Sequence, residues 1–217
     1  MEEGGEIVCS VETWCSLVDK LTRDQCDALR DTGIYCMLQI PPVKMRHNLI
    51  RYLVEIYHPK TKRFVVHARV GEFTASTIDV ECIYGLQNSG FCVADILDKE
   101  GPVFSSRIPP QFLSKTTKNL VINDLISKIL QSGSTDDDFV RMTCLVLLGT
   151  VIAPQFSKII PKNYYILVED LGRFKELNLN EFTLRNLMES VRSVLNGTRM
   201  VQFPKGNVSL LRVQIFF

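Results

Sequence analysis

The chain lacks the short patterns that announce common chemistries. No GxxxxGK motif followed by Ser or Thr, no GxGxxG and no GxSxG occurs, which removes the local signal for a phosphate cradle, a dinucleotide fold or a serine nucleophile. Its three histidines, His47, His58 and His67, form no HExxH and have no cysteine at zinc-like spacing, so they read as surface or hairpin histidines. No CxxC pair joins the cysteines Cys9, Cys15, Cys26, Cys36, Cys82, Cys92 and Cys144. An odd number without pairing suits a reducing compartment and buried thiols better than a disulfide framework.

Excess charge is also missing. Lys and Arg total 25 against 24 Asp and Glu, a net charge of +1, so no long-range field gathers nucleic acid or anionic lipid. A nucleic-acid role would therefore need a local patch. Long apolar runs are absent too: Phe139 to Ala153 contains Arg141 and stops at Pro154, short of the ~20 residues that span a bilayer. That segment reads as a core helix, and no membrane contact is expected. Met1 to Ser10 carries Glu2, Glu3 and Glu6 instead of a basic segment and an apolar run, which argues against a signal peptide. The expected location is the nucleus or cytoplasm.

What is present is core material: 46% of 217 residues are hydrophobic, enough for one large domain or two joined small ones. Residues 1–13 read as a tail and 14–217 as a mostly α, multi-helix globular domain with a small β-hairpin near residues 64–74. Trp14, Leu17, Val18 and Leu21 recur at helical spacing, and Thr22 with Gln25 offers a capping box for a helix that ends before Gly33. Ile34 to Ile40 is apolar and is terminated by Pro41-Pro42. Leu49, Ile50, Leu53, Val54 and Tyr57 predict an amphipathic helix. His58-Pro59-Lys60-Thr61 follows as a turn, Phe64 to Val70 as a strand, and Gly71 closes a hairpin onto Glu72 to Thr74.

Ser76 and Asp79 resemble a capping pair for a short helix towards Gly85. The stretch from Lys99 to Pro110 is the least periodic in the interior, which places a possible subdomain boundary near 99–115. Leu120, Val121, Leu125, Ile129 and Leu130 predict another helix. Asp136, Asp137 and Asp138 lie at the start of the Phe139 helix, where capping accounts for them better than a metal does. Pro161 fits the first position of a helix over Tyr164 to Leu171, and Asn180 the cap of one carrying Phe182, Leu187, Met188, Val191 and Leu195.

The strongest surface signal is basic. Lys44, Arg46, Arg51, Lys60, Lys62, Arg63 and Arg69 concentrate around the amphipathic helix and hairpin, with Tyr52, Tyr57 and Phe64 interspersed. They make a candidate surface for a partner protein or nucleic acid, set against the plainer reading of a solvated polar face. No catalytic, cofactor or metal set is assignable. A thiol enzyme would have to use Cys82 or Cys92, with His67 brought to Cys82 by the fold.

In order along the chain, several segments resemble the plant mobile domain family, the "aminotransferase-like", transposon-associated proteins that include regions preceding Ulp1-type protease domains. These are Leu21 to Gln25 with Gly33-Ile34, Tyr52 to Thr61, Ile78-Asp79-Val80 with Tyr84-Gly85-Leu86, Leu147 to Pro154, and Val168-Glu169-Asp170 ahead of Asn180-Glu181-Phe182. His58 stands where that family commonly has an acidic residue, and Asn88 where it often has proline. The resemblance implies a noncatalytic, nuclear interaction module derived from or associated with a mobile element. Two alternatives remain open: the truncated regulatory half of a Ulp1-like cysteine protease, and an independent thiol-dependent enzyme. A pyridoxal enzyme would need a Schiff-base lysine and partners for the cofactor's phosphate and ring nitrogen, and no such set is assignable. No cofactor is expected.

Overall fold

Local capping chemistry sets several of the helix boundaries. A computed structural model describes residues 10–42, 47–66, 71–100, 107–155 and 157–195. Helix α1 is Ser10–Val18, and Trp14 on it is fully buried, its indole N–H donating to the Met37 carbonyl at 2.8 Å. Helix α2, Arg23–Ala28, opens on the expected capping box: Gln25 N donates to Thr22 Oγ1 at 3.2 Å, and Thr22 N to Gln25 Oε1 at 3.0 Å. Two short 3-10 turns, Arg30–Thr32 and Tyr35–Gln39, then carry the chain to the prolines.

Helix α3 is His47–Glu55 and buries Ile50, Leu53 and Val54 as the periodicity requires. The hairpin is one strand larger than expected. Tyr57–His58 forms β1, Arg63–Val66 forms β2 and Gly71–Phe73 forms β3, in an antiparallel sheet of order β1-β2-β3. Tyr57 pairs with Phe64, and Phe64 with Phe73, so alternation turns Tyr57, Phe64 and Phe73 to one face. Their rings meet at centroid distances of 5.0 and 4.9 Å. The last part of the expected strand, residues 67–70, lies outside the described residues.

Helix α4, Thr77–Tyr84, begins with the Ser76–Asp79 capping box, Ser76 N donating to Asp79 Oδ2 at 2.7 Å. Helix α5, Val93–Glu100, was not expected from the sequence. With Val93 and Ile96 as its only buried side chains, its periodic signal is too short to read. Leu120 and Val121 are not helical: they form β4, paired antiparallel with β5, Ile159–Ile160, and α6 starts one residue later as Ile122–Ser132. Both residues suit either state, and the partner strand decides between them.

Helix α7 spans Asp137–Leu147 and continues as a π-helical turn over Leu148–Ile152, so the apolar run is not one regular helix. Ala153 N donates to Leu148 O at 2.8 Å, and the Thr150 hydroxyl to Val146 O at 2.6 Å. The expected helix after Pro161 is broken into a 3-10 turn, α8 (Tyr165–Glu169) and α9 (Leu171–Phe174). Asp170 causes the break by accepting from Gly172 N and Arg173 N, a capping role incompatible with a mid-helix backbone.

Helix α10, Leu179–Leu195, is capped by Asn178, which accepts from Glu181 N at 3.0 Å. Asn180 is not the cap. It is fully buried in the first turn and donates through Nδ2 to Leu86 O at 2.8 Å, tying α10 to the end of α4. A single apolar cluster runs from Val11 through Phe64, Phe112 and Leu145 to Val191. No helix among the described residues is long and apolar enough to cross a membrane.

Candidate interaction surface

Four of the seven basic residues singled out in the sequence are described; Lys44, Arg46 and Arg69 lie outside the described residues. Arg51 projects from the exposed face of α3. Lys60 and Lys62 occupy the exposed turn between β1 and β2, closed by Lys62 N donating to His58 O at 2.8 Å. Lys62 holds a left-handed backbone, φ 58°, uncommon outside glycine and asparagine. Arg63 differs: its guanidinium pairs with Glu72 across the sheet, so its charge is already met.

Apolar side chains accompany these charges. Tyr52 and Val65 are each 39% exposed, Tyr52 beside Arg51 on α3 and Val65 on the sheet face opposite Phe64. Tyr57 and Phe64, read from sequence as part of the basic surface, are instead buried and form the floor under the sheet. Aromatic content in a strand does not reveal which face it takes until the register is known.

The acidic triplet behaves as a helix start. Asp136 accepts from Phe139 N at 2.9 Å, and this bond, with help from the Ser134 hydroxyl, holds its carboxyl below the usual range. Asp137 and Asp138 both pair with Arg141, one turn on. No group of three metal-ligating side chains converges among the described residues.

The thiols do not share one environment. Cys15 and Cys144 are buried, and burial pushes the Cys144 thiol far up and that of Cys36 up as well. Cys26 is raised by burial and by neighbouring Asp27. Cys82 is exposed on α4, contrary to the buried reading, because it falls on the solvent side of a helix whose inward positions are Val80 and Tyr84. Cys92 is half-buried with its sulfur 3.9 Å from Glu181 Oε1. His67 and Cys9 lie outside the described residues.

Sequence reasoning missed a second group of positive charge. Lys115 and Lys118 are exposed on the loop before β4, Lys158 is exposed immediately before β5, and Lys162 is half-buried just after it. Only the β4–β5 pairing, which joins segments some forty residues apart, brings them to one ladder.

The structure is thus that of a mostly helical domain with a small antiparallel sheet. Residues 7–211 match the family model described as a domain of unknown function (DUF8566), and the chain belongs to that family. No curated protein and no solved structure matches it.

Proposed function

We propose that the chain is a noncatalytic interaction module that holds a protein partner on the α3–hairpin face. The observation that carries this is the exposure of Tyr52 and Val65 in the same unit as Arg51, Lys60 and Lys62. Protein interfaces draw their energy from aromatic and arginine anchors ringed by polar groups, and this unit has that composition. The packed rings of Tyr57, Phe64 and Phe73, the first two buried and the third partly so, give it a rigid support, which lowers the ordering cost of binding. The resemblance to plant mobile domains extends the proposal to a nuclear protein derived from or associated with a mobile element.

Site-specific photo-crosslinking tests the reading. A benzoylphenylalanine placed at Tyr52 or Val65 should give one discrete crosslinked product in the cells that make the protein, and the same probe at Glu176 should not. Arg51→Glu should abolish the product while the purified variant keeps its helical circular dichroism. Absence of any product from both positions defeats the proposal.

A further inference from the structure

We infer that the β4–β5 ladder carries a second, separate binding face, one that takes the phosphate backbone of a nucleic acid through Lys115, Lys118, Lys158 and Lys162. The sequence around the ladder is one-signed. Residues 107–123 and 154–168 contain basic residues and no Asp or Glu. Antiparallel pairing of Leu120 with Ile160 and Val121 with Ile159 brings the two stretches side by side. Lys118 and Lys162 then flank one end of the ladder, and Lys158, whose carbonyl accepts from Ile122 N at 3.0 Å, flanks the other. Lys115 belongs to the same end as Lys118, because Ser114 N donates to Asn119 O at 2.8 Å and closes the loop between them.

Among the described residues none of these four lysines takes part in an ion pair. Two acids border the patch: Glu189 acts on the Tyr164 hydroxyl, two residues past Lys162, and Asp124 is engaged elsewhere. Asp124 interacts with Lys128, whose ammonium is itself used inside the fold, donating to Gln111 O at 2.7 Å and Leu113 O at 3.0 Å.

Backbone conformation supplies the second argument. Lys118 and Lys158 have φ of 56°, in the left-handed region. Each closes a turn, Lys118 N donating to Ser114 O and Lys158 N to Gln155 O, a task glycine or asparagine performs without the penalty of about 1 kcal/mol or more. Glycine would close both turns at lower cost, and strain of this kind points to a use for the side chain.

The chemistry favours nucleic acid over protein. Lysine is depleted from protein interfaces, and none of the exposed large hydrophobic residues, Tyr52, Val65, Ile78, Phe91, Leu130 and Leu195, belongs to either stretch. Small donors accompany the lysines instead, with the exposed Thr116, Thr117 and Ser157 suited to phosphate oxygens.

Fluorescence anisotropy of the full chain with a short labelled DNA duplex and a labelled single-stranded RNA, between about 50 and 200 mM salt, tests the inference. Affinity for at least one should fall as salt rises. The Lys118→Gly/Lys158→Gly variant should fold with stability equal to or above wild type, yet bind more weakly, with the salt slope reduced by about 0.9 per lysine on duplex and about 0.7 on single strand. Lys60→Gln/Lys62→Gln should leave that binding unchanged, which separates this face from the hairpin. No binding of either probe at low salt, an unchanged slope in the glycine variant, or equally tight binding of polyglutamate would each overturn it.

Discussion

A methyl group added to Gly90 would sit 2.0 Å from the carbonyl oxygen of Glu176. Gly90 also has φ of 112°, so it meets two constraints that only glycine satisfies together. The contact serves a docking of distant segments: Phe91 N donates to Glu176 O at 2.8 Å, and Asn178 N to Phe91 O at 2.9 Å. Beside it the guanidinium of Arg173 lies over the exposed Phe91 ring and pairs through two bonds with Glu100.

Gly90→Ala should therefore destabilise the protein by about 3 kcal/mol or more, combining backbone strain with loss of the docking bonds. Urea denaturation followed by circular dichroism reads this as a lowered midpoint at unchanged slope. A variant as stable as wild type would show that the 88–92 loop does not depend on this approach.

The two asparagines at the start of α10 should separate cleanly. Asn178→Ala removes a cap and should cost about 1 kcal/mol. Asn180→Ala strands the buried Leu86 carbonyl and opens a hole, and should cost about 2–3 kcal/mol. Equal losses, or a larger one at Asn178, would reverse the assignment of cap and cross-link.

Part of the chemistry that acts within four residues was legible in the sequence, although the equally local caps at Asp170 and Asn178 were not. Thr22 with Gln25, Ser76 with Asp79 and Asp136 with Phe139 all make the bonds their spacing predicts, because a cap needs nothing beyond its own first turn. Features settled by distant partners were not legible. Leu120–Val121 becomes a strand through Ile159–Ile160, and Asn180 turns inward because Leu86 offers a buried carbonyl. For the same reason the hairpin basic group could be read from one continuous stretch, while the lysines of the β4–β5 ladder could not be assembled without the pairing.

Asp136 gives a pH signature with a definite sign. Its folded carboxyl titrates below the ordinary aspartate value, chiefly because of the bond from Phe139 N, so its stabilisation is complete above about pH 4 and lost as pH falls through the folded value. Asp136→Asn keeps a capping oxygen but no titratable group. Between about pH 4 and pH 2 the variant should lose less stability than wild type, measured by thermal melts at stepped pH, and parallel curves would assign the acid sensitivity elsewhere.

Gly149 in the π-helical turn packs closely against Ile160, since a Cβ at 149 would lie 2.7 Å from Ile160 Cγ1. Both residues are fully buried, so neither can move aside into solvent. Gly149→Ala should cost about 1–3 kcal/mol by overpacking, and Ile160→Ala about 2–5 kcal/mol by leaving a cavity. The clash and the cavity occupy the same space, so the double variant should lose less than the sum of the two single losses. A double-mutant cycle should give a favourable coupling of about 0.5–3 kcal/mol. Strict additivity would mean that the β4–β5 ladder can shift away from the turn, and that the glycine is there for the backbone geometry of the π turn alone.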